Sequence, residues 1–292
     1  MSHFAVTVIG DNPEAKLQPF DESIRVDEYK VPVYTYWWIT KEEWDLKPDM
    51  SQEEIYARWV SRHPDSNEVR IDEEGTIYEM STYNPIAKWD YYMLGGRYNG
   101  FFLLKYGAEG TLGERSFSSP VTKFGHVDQA YKGDIDFEMM RREAGDKATE
   151  LWDSKIEPIV SVHGLPPAFP WVEVNKANSV NDRVTAMNIR DIYWAGPCVS
   201  ALKKAGVLGV MGDPHELYGS GREAYIEDAY LGSICTYAMI TDDGSWCAPG
   251  EMGLFGLSSE SKNDRRDFVH VFNNFIDDLE DDTLISLYDC HI

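Results

Sequence analysis

The chain of 292 residues carries 27 basic and 50 acidic side chains, a formal net charge of −23 at pH 7, and 13% of its residues are aromatic. A surface this acidic repels the phosphates of nucleic acids and anionic lipid headgroups, so we expect neither direct nucleic-acid binding nor membrane association. The apolar and aromatic content excludes a largely disordered chain, and the length allows one large domain or two modest ones.

The N-terminal part of the chain predicts strands, turns and one helix. Residues 4–9 (FAVTVI) and 31–39 (VPVYTYWWI) are apolar and rich in β-branched or aromatic side chains, which is typical of buried strands. Residues 51–62 begin with a capping box, Ser-Gln-Glu-Glu, and predict a helix. Residues 69–71 and 76–80 flank an acidic stretch that ends in glycine, so they predict a hairpin.

The C-terminal part predicts more helix. We expect Asp134 to cap a helix whose apolar face continues to Trp152. Three prolines make residues 163–171 an extended connector. The clearest helix spans residues 265–280, and residues 283–288 predict a final strand. The apolar stripe of that helix consists of Phe268, Val271, Phe272, Phe275, Ile276 and Leu279.

These elements predict an α+β fold, with a mixed or antiparallel sheet and packed amphipathic helices, because strands and helices do not alternate regularly. The proline-rich connector suggests a weak boundary between an N-terminal region, residues 1–160, and a C-terminal region, residues 161–292. A single domain is the alternative, because a strand of the first region could pair with a strand of the second across that boundary.

The most distinctive stretch is NPIAKWDYYMLGGRYNGFFLL at residues 84–104. Gly95, Gly96 and Gly100 invite comparison with a phosphate-binding loop, but the spacing of neither known glycine-rich phosphate motif is present. The favoured interpretation is a tight turn between an aromatic-rich helix and a strand at residues 101–104. The candidate partner-binding residues of this stretch and of the earlier aromatic segment are Trp89, Tyr91, Tyr92, Arg97, Tyr98, Trp37 and Trp38.

The C-terminal sequence Asp289-Cys290-His291 places an acid, a thiol and an imidazole side by side. Neighbouring side chains of one strand point to opposite faces, so this triplet cannot form a nucleophile–base pair by itself. Cys290 is the thiol we expect to be exposed and available for a disulfide between chains, and a structural Cys290 that packs inward is the other interpretation. A small-molecule enzyme would have to assemble its site from Arg97, His270, Cys290 and His291.

Seven histidines and four cysteines show none of the spacings typical of metal sites, such as HExxH or CxxC. We therefore predict no metal, no cofactor and no catalytic residue. No window reaches the roughly 18 apolar residues that a membrane helix needs, and the first residues lack the features of a secretory signal. The sequence predicts a cytoplasmic protein with reduced thiols.

Residues 277–282 (DDLEDD) overlap the C-terminal end of the predicted helix, where the helix dipole disfavours negative charge. Local helix stability therefore does not explain why acidic residues occupy these positions. A solvated turn is the simpler interpretation, and a surface that meets a basic partner in place of DNA is the functional one. The candidate partner-binding carboxylates are Asp277, Asp278, Asp281 and Asp282.

Three segments, MSHFAVTVIGDNPEAKLQPFDE, NPIAKWDYYMLGGRYNGFF and DDTLISLYDCHI, resemble a family of phage and prophage proteins. Within that family the chain is similar to the Gabija anti-defence proteins of phages. The resemblance implies a homo-oligomeric inhibitor that binds the host Gabija complex, a nuclease–ATPase with a helicase-like partner, and blocks its action on DNA in the host cytoplasm without catalysis. A small-molecule enzyme and a phage housekeeping protein are the alternatives.

Overall fold

The computed structural model describes most of the chain, and the described residues are 2–32, 69–73, 77–209, 212–252 and 258–292. Trp37, Trp38 and the helix predicted over residues 51–62 lie outside the described residues. The chain divides into two compact units, one formed by residues 17–90 and the other by residues 1–16 together with 91–292.

The strands are short except at the two ends of the chain, and the helices lie mainly between residues 137 and 278. The strands are β1 (His3–Ile9), β2 (Tyr29–Pro32), β3 (Val69–Ile71), β4 (Ile77–Ser81), β5 (Tyr91–Gly96), β6 (Phe102–Leu103), β7 (Glu114–Arg115), β8 (His126–Val127), β9 (Gln129–Tyr131), β10 (Ala238–Ile240), β11 (Trp246–Cys247) and β12 (Leu284–His291). The helices are α1 (Pro13–Leu17), α2 (Phe137–Leu151), α3 (Glu157–His163), α4 (Trp171–Ser179), α5 (Arg183–Ala195), α6 (Pro197–Lys204), α7 (Pro214–Tyr218), α8 (Arg222–Gly232) and α9 (Lys262–Asp278).

The unit of residues 17–90 contains a three-stranded antiparallel sheet in the order β2-β4-β3. The pairing of β3 with β4 confirms the predicted hairpin. Asn84 ties the end of this unit to its start, because its side-chain amide donates to the carbonyl oxygens of Pro19 and Asp21 at 2.7 and 3.0 Å. The rings of Phe20 and Trp89 pack beside these hydrogen bonds, with centroids 5.6 Å apart.

The larger unit is built on a mixed sheet with the strand order β11-β10-β1-β12-β5-β7, and β9 pairs with the start of β12. β1 runs antiparallel to β12 along its whole length, from His3 opposite His291 to Ile9 opposite Ile285, while β10 is parallel to β1. The mixed sheet and the many helices confirm the predicted α+β class. The pairing of β1 with β12 also joins residues on the two sides of residue 160 in one sheet.

Helices α2 and α9 cover one face of this sheet, and α8 packs against both of them. The shared core contains Ile285 and Leu287 from β12, Phe137 from α2 and Phe272 from α9. α9 begins at the capping box of Ser261 and Asp264. Its stripe of phenylalanines faces the sheet. Val271 departs from the predicted stripe, because 56% of its surface is exposed.

Two predicted elements are wrong. The aromatic residues before Gly95 form strand β5 and not a helix, because their backbone pairs with β12, with Leu94 opposite Tyr288. The cap of α2 is Asp136, whose carboxylate accepts from the backbone amide of Met139 at 2.9 Å. Asp134 lies two residues before Asp136, at the end of a 3₁₀ turn.

Helices α3 to α7 pack in clusters that are separate from the core under the sheet. A π-helical turn at Trp152–Ile156 joins α2 to α3, and the connector follows from residue 164 to residue 170, as its prolines predict. α4 and α5 then form a helical hairpin that buries Val174, Ala177 and Ala186 against each other. The partly buried Phe169 and Ile189 pack against these three side chains and complete a modest core for the two helices.

Candidate functional site

A buried carboxylate holds the glycine-rich turn that follows β5. Asp128 is fully buried and accepts from the backbone amides of Gly100 and Gly113 at 2.6 and 2.9 Å, and from the side-chain amide of Asn99 at 3.0 Å. Burial raises the pKa of Asp128, and these hydrogen bonds oppose that rise. The carboxylate therefore fixes two separate loops from inside the protein.

A second buried carboxylate holds the same turn from β12. Oδ2 of Asp289 accepts from the backbone amide of Arg97 at 2.8 Å, and Oδ1 lies 2.8 Å from Nδ1 of His3. Gly96 has φ +51°, and a Cβ there would stand 2.4 Å from the Cβ of Asp289. Amides that a phosphate would need are thus bound to the protein's own carboxylates, which favours the tight turn over a phosphate loop.

Cys290 is buried and not exposed, so the prediction of an exposed thiol is wrong. The residue lies within β12 with Phe4 opposite it on β1, and burial raises the pKa of its thiol well above the ordinary value. Its terminal position suggested exposure, but β12 is an interior strand of the sheet. The thiol cannot reach another chain, or act as a nucleophile, unless the sheet opens.

The residues of the hypothetical enzyme site are separated into two places. His291 stands opposite His3 at the end of the sheet, with ring centroids 4.8 Å apart, close to the turn that contains Arg97. His270 is exposed on α9 and lines a cleft of about 280 Å³ together with residues of α8 and α9, among them Arg265. Neither place combines a reactive thiol with a base.

The predicted aromatic contacts differ in exposure. Trp89 is buried, with 1% of its surface exposed, and is therefore a core residue of its unit. Tyr92 and Tyr98 are half-buried, and the hydroxyl of Tyr98 donates to the carbonyl oxygen of His3 at 3.1 Å. Tyr91 exposes 54% of its surface and remains available to a partner.

The outer side of α2, α8 and α9 is acidic. Eleven carboxylates are exposed there: Glu138, Glu143, Asp146, Glu150, Glu223, Glu227, Asp228, Asp264, Asp267, Asp277 and Asp278. The same helices also carry seven cations: Arg141, Arg142, Lys147, Arg222, Lys262, Arg265 and Arg266. Three of them form ion pairs with these carboxylates: Arg141–Asp277, Lys147–Glu143 and Arg266–Asp228. We call this surface the acidic helical layer.

The predicted acidic cluster at the end of α9 is exposed as expected, and half of it is paired. Asp277 accepts from Arg141 at 2.9 Å, and Asp281 lies 3.2 Å from Nζ of Lys132. Asp278 and Asp282 are exposed and form no ion pair within the part of the chain that the structure describes. The cluster therefore retains negative charge toward solvent.

An apolar groove lies between α3, the connector, α5 and the start of α6, and sequence reasoning missed it. Its volume is about 720 Å³, and Val162, Pro167, Pro170, Ile192, Tyr193 and Pro197 are among its lining residues. A signal is visible in α5, which has two apolar stripes. One stripe contains the buried residues Ala186 and Tyr193, and the other contains the exposed residues Val184 and Met187.

Comparisons with known proteins add no relative, since no family model, curated protein or solved structure matches the chain. Within the described ranges, no three His, Cys, Asp or Glu side chains are grouped so that they could hold a metal ion. None of the described helices has the length and apolar character to cross a bilayer. The acidic helical layer and the apolar groove are therefore the surfaces from which a function can be inferred.

Proposed function

We propose that this protein acts by binding a basic surface of another protein through its acidic helical layer. The observation that carries the proposal is the excess of acidic over basic side chains, eleven against seven, on three adjacent helices. Repulsion between like charges opposes compact folding, and ion pairs within the layer relieve only part of it. A basic partner relieves the rest, so binding is favoured by charge complementarity.

The arrangement of the layer supports a partner that handles DNA. Glu143, Asp146 and Glu150 follow one another on the exposed side of α2 at i, i+3 and i+7, about 5 Å apart along the helix axis. Lys147 pairs with Glu143, and Asp146 and Glu150 form no ion pair within the described residues. Such a row of carboxylates has a negative potential, as the phosphate backbone of DNA does. A basic DNA-binding path on a partner would therefore attract it. The sequence resemblance names the candidate partner, the host Gabija complex, and binding in this mode blocks DNA access without catalysis in the host cytoplasm.

The first test measures binding of the purified chain to a purified Gabija complex as salt is raised from about 50 to about 500 mM. We expect the association rate to fall by at least about tenfold over that range, because screening removes electrostatic steering. Duplex DNA should compete with the chain for the complex. Absence of binding at low salt contradicts the choice of partner, and binding that salt leaves unchanged contradicts the electrostatic mode.

Matched variants then separate the acidic helical layer from net charge alone. Asp146→Asn with Glu150→Gln removes two charges from the layer, and Glu109→Gln with Glu114→Gln removes two from exposed positions elsewhere. We expect the first pair to lower the association rate roughly three- to tenfold and the second pair to leave it nearly unchanged. Equal effects of the two pairs would mean that the layer is not the binding surface.

A further inference from the structure

A polar cluster lies at the end of the central sheet where β1 and β5 begin and β12 ends. His291 of β12 stands between His3 on β1 and Tyr91 on β5. Directly opposite residues of a sheet project to the same face, and so do residues two apart on one strand, which adds Asp289 to the cluster. Tyr91 exposes 54% of its surface and the side chain of His3 exposes 17%, so solvent reaches the cluster.

The carboxylate of Asp289 fixes the orientation of the His3 ring. Oδ1 of Asp289 lies 2.8 Å from Nδ1 of His3, and only 1% of the Asp289 side chain is exposed. An acceptor at Nδ1 holds the ring proton on that nitrogen, so Nε2 is the nitrogen that can contact a ligand. Nε2 forms no hydrogen bond with any residue that the structure describes. The protein therefore positions this imidazole and leaves its second nitrogen without a protein partner in the described ranges.

Arg97, whose backbone amide donates to Oδ2 of Asp289 at 2.8 Å, adds a positive charge to the cluster. Its side chain is half-buried, its Nε is buried without a hydrogen-bond partner, and its guanidinium forms no ion pair within the described residues. Burial raises the pKa of the Tyr98 hydroxyl, the charge of Asp289 adds to that rise, and the charge of Arg97 opposes it. That hydroxyl donates to the carbonyl oxygen of His3, so the guanidinium acts at this cluster. A partly buried cation that lacks a partner favours the binding of an anion.

The surroundings of the cluster are basic, although the whole chain has a formal net charge of −23. Residues 97–126 contain two acidic side chains and four basic ones: Arg97, Lys105, Arg115 and Lys123. The later part of this stretch is attached to the turn of Arg97, because Oγ of Ser119 donates to the carbonyl oxygen of Gly96 at 2.6 Å. An anion that the net charge repels at long range is therefore attracted at short range here.

We propose that this cluster binds the phosphate group of a nucleoside monophosphate, with the guanidinium of Arg97 and Nε2 of a protonated His3 as donors to the phosphate oxygens. The planar guanidinium matches the geometry of phosphate, and the exposed ring of Tyr91 provides a surface on which a planar base can stack. The donors are side chains, so this site differs from a phosphate loop, which uses backbone amides. None of these residues belongs to the acidic helical layer, so binding here is independent of the partner proposed above.

Isothermal titration calorimetry with adenosine monophosphate, adenosine and inorganic phosphate tests the site. We expect adenosine monophosphate to bind with a dissociation constant of about 10–500 µM, inorganic phosphate to bind at least about fivefold more weakly, and adenosine to give no signal at about 5 mM. Absence of binding of adenosine monophosphate at about 5 mM overturns the proposal. Equal affinities for the nucleotide and the nucleoside would show that the phosphate is not recognised, and would overturn it as well.

Matched substitutions locate the two parts of the ligand. Arg97→Gln should weaken binding of adenosine monophosphate at least about tenfold, whereas Lys123→Gln, which removes an exposed charge from the same basic stretch, should change it less than about twofold. Tyr91→Ala should weaken binding of the nucleotide about fivefold and leave that of inorganic phosphate unchanged. Circular dichroism verifies that each variant is folded. Equal losses from Arg97→Gln and Lys123→Gln would overturn the site, because local charge alone would then explain the binding.

Nuclear magnetic resonance gives a readout in the unaltered chain. Adenosine monophosphate should shift the ring proton signals of His3 and His291, and leave those of His215 on α7 and His270 on α9 unchanged. His3→Gln and His270→Gln assign the signals of their own rings. A His3 signal that does not move, or equal shifts of all four rings, would contradict the assigned site.

Discussion

The central sheet and the α4–α5 hairpin bury their apolar side chains to very different extents. β12 buries six consecutive side chains from Ile285 to Cys290 between β1 and β5, under the cover of α9. The hairpin buries Val174, Ala177, Ala186 and Tyr193 and leaves other apolar side chains in solvent, among them Val172 and Met187. The sheet is stabilised by contacts within the chain, whereas the hairpin leaves apolar surface that no described residue covers.

Polar side chains also differ between the sheet unit and the hairpin: they are buried in the first and exposed in the second. Asp128 and Asp289 lie inside the sheet unit, and their carboxylates accept hydrogen bonds from backbone amides of the turns beside them. The charged side chains of α4 and α5 project into solvent, among them Lys176 and Asp191. Satisfied buried polar groups specify a structure, while exposed unpaired charges remain available for recognition.

The largest expected effect compares the two apolar cores. Phe272→Ala should lower the free energy of unfolding by about 3–5 kcal/mol, because it leaves a cavity under the sheet. Val174→Ala removes a buried side chain of the hairpin and should cost about 1–2 kcal/mol. Urea denaturation with amide hydrogen exchange measures both, and only the second loss should be confined to amides of α4 and α5. If Val174→Ala lowered the free energy of unfolding as much as Phe272→Ala and affected amides throughout the chain, the two cores would not differ in the way we expect.

The second prediction concerns the carboxylate that holds two loops. Asp128→Asn replaces an acceptor by an N–H donor opposite the amides of Gly100 and Gly113, and we expect it to lower the free energy of unfolding by about 3 kcal/mol. Asp278→Asn, on an exposed carboxylate, is the control and should leave the urea midpoint unchanged. An equally small effect of both substitutions would show that the loops are held by other contacts.

The third prediction separates backbone strain from close packing. Gly96→Ala should cost about 2 kcal/mol or more, because its Cβ adds a clash with Asp289 to the strain of a positive φ. Gly107 also has a positive φ, but a Cβ there meets nothing within 4 Å, so Gly107→Ala should cost about 1 kcal/mol. Thermal denaturation of the two variants gives the difference. Equal costs would indicate that the turn moves away from Asp289.

The smallest effect compares local opening of the two regions. Cys290 in the sheet and Cys198 in α6 are both buried, and burial raises the pKa of each thiol. We expect native Cys198 to react with an alkylating reagent at least about tenfold faster, because the helical region opens more readily than the sheet. Mass spectrometry of timed samples measures both rates. Equal rates would place both regions in one cooperative unit.

Local patterns predicted the elements that local chemistry determines. The run of β-branched residues at the start became β1, and the apolar stripe placed α9 within a few residues of its observed span. β5 could not be predicted, because its aromatic residues become a strand only through pairing with β12, some two hundred residues later in the chain. The burial of Cys290 has the same cause, since its strand lies inside the sheet.

The candidate surfaces were predicted only in part. The acidic cluster of α9 was visible in the sequence, but its ion pairs were not, because Arg141 and Lys132 come from elements more than a hundred residues earlier. The apolar groove depends on how α3, the connector, α5 and α6 pack together. Such a concave surface has no pattern of its own, although the second apolar stripe of α5 indicates that one side of that helix lacks cover.

The pairing of β1 with β12 also sets the order in which the protein can form during its synthesis. β1 leaves the ribosome early, yet its antiparallel neighbour is complete only when residue 291 has been added. At ordinary rates of translation, on the order of tens of seconds pass between the two events. Throughout that interval the apolar strand Phe4–Ile9 has an unpaired edge, and such an edge is a site at which nascent chains can associate.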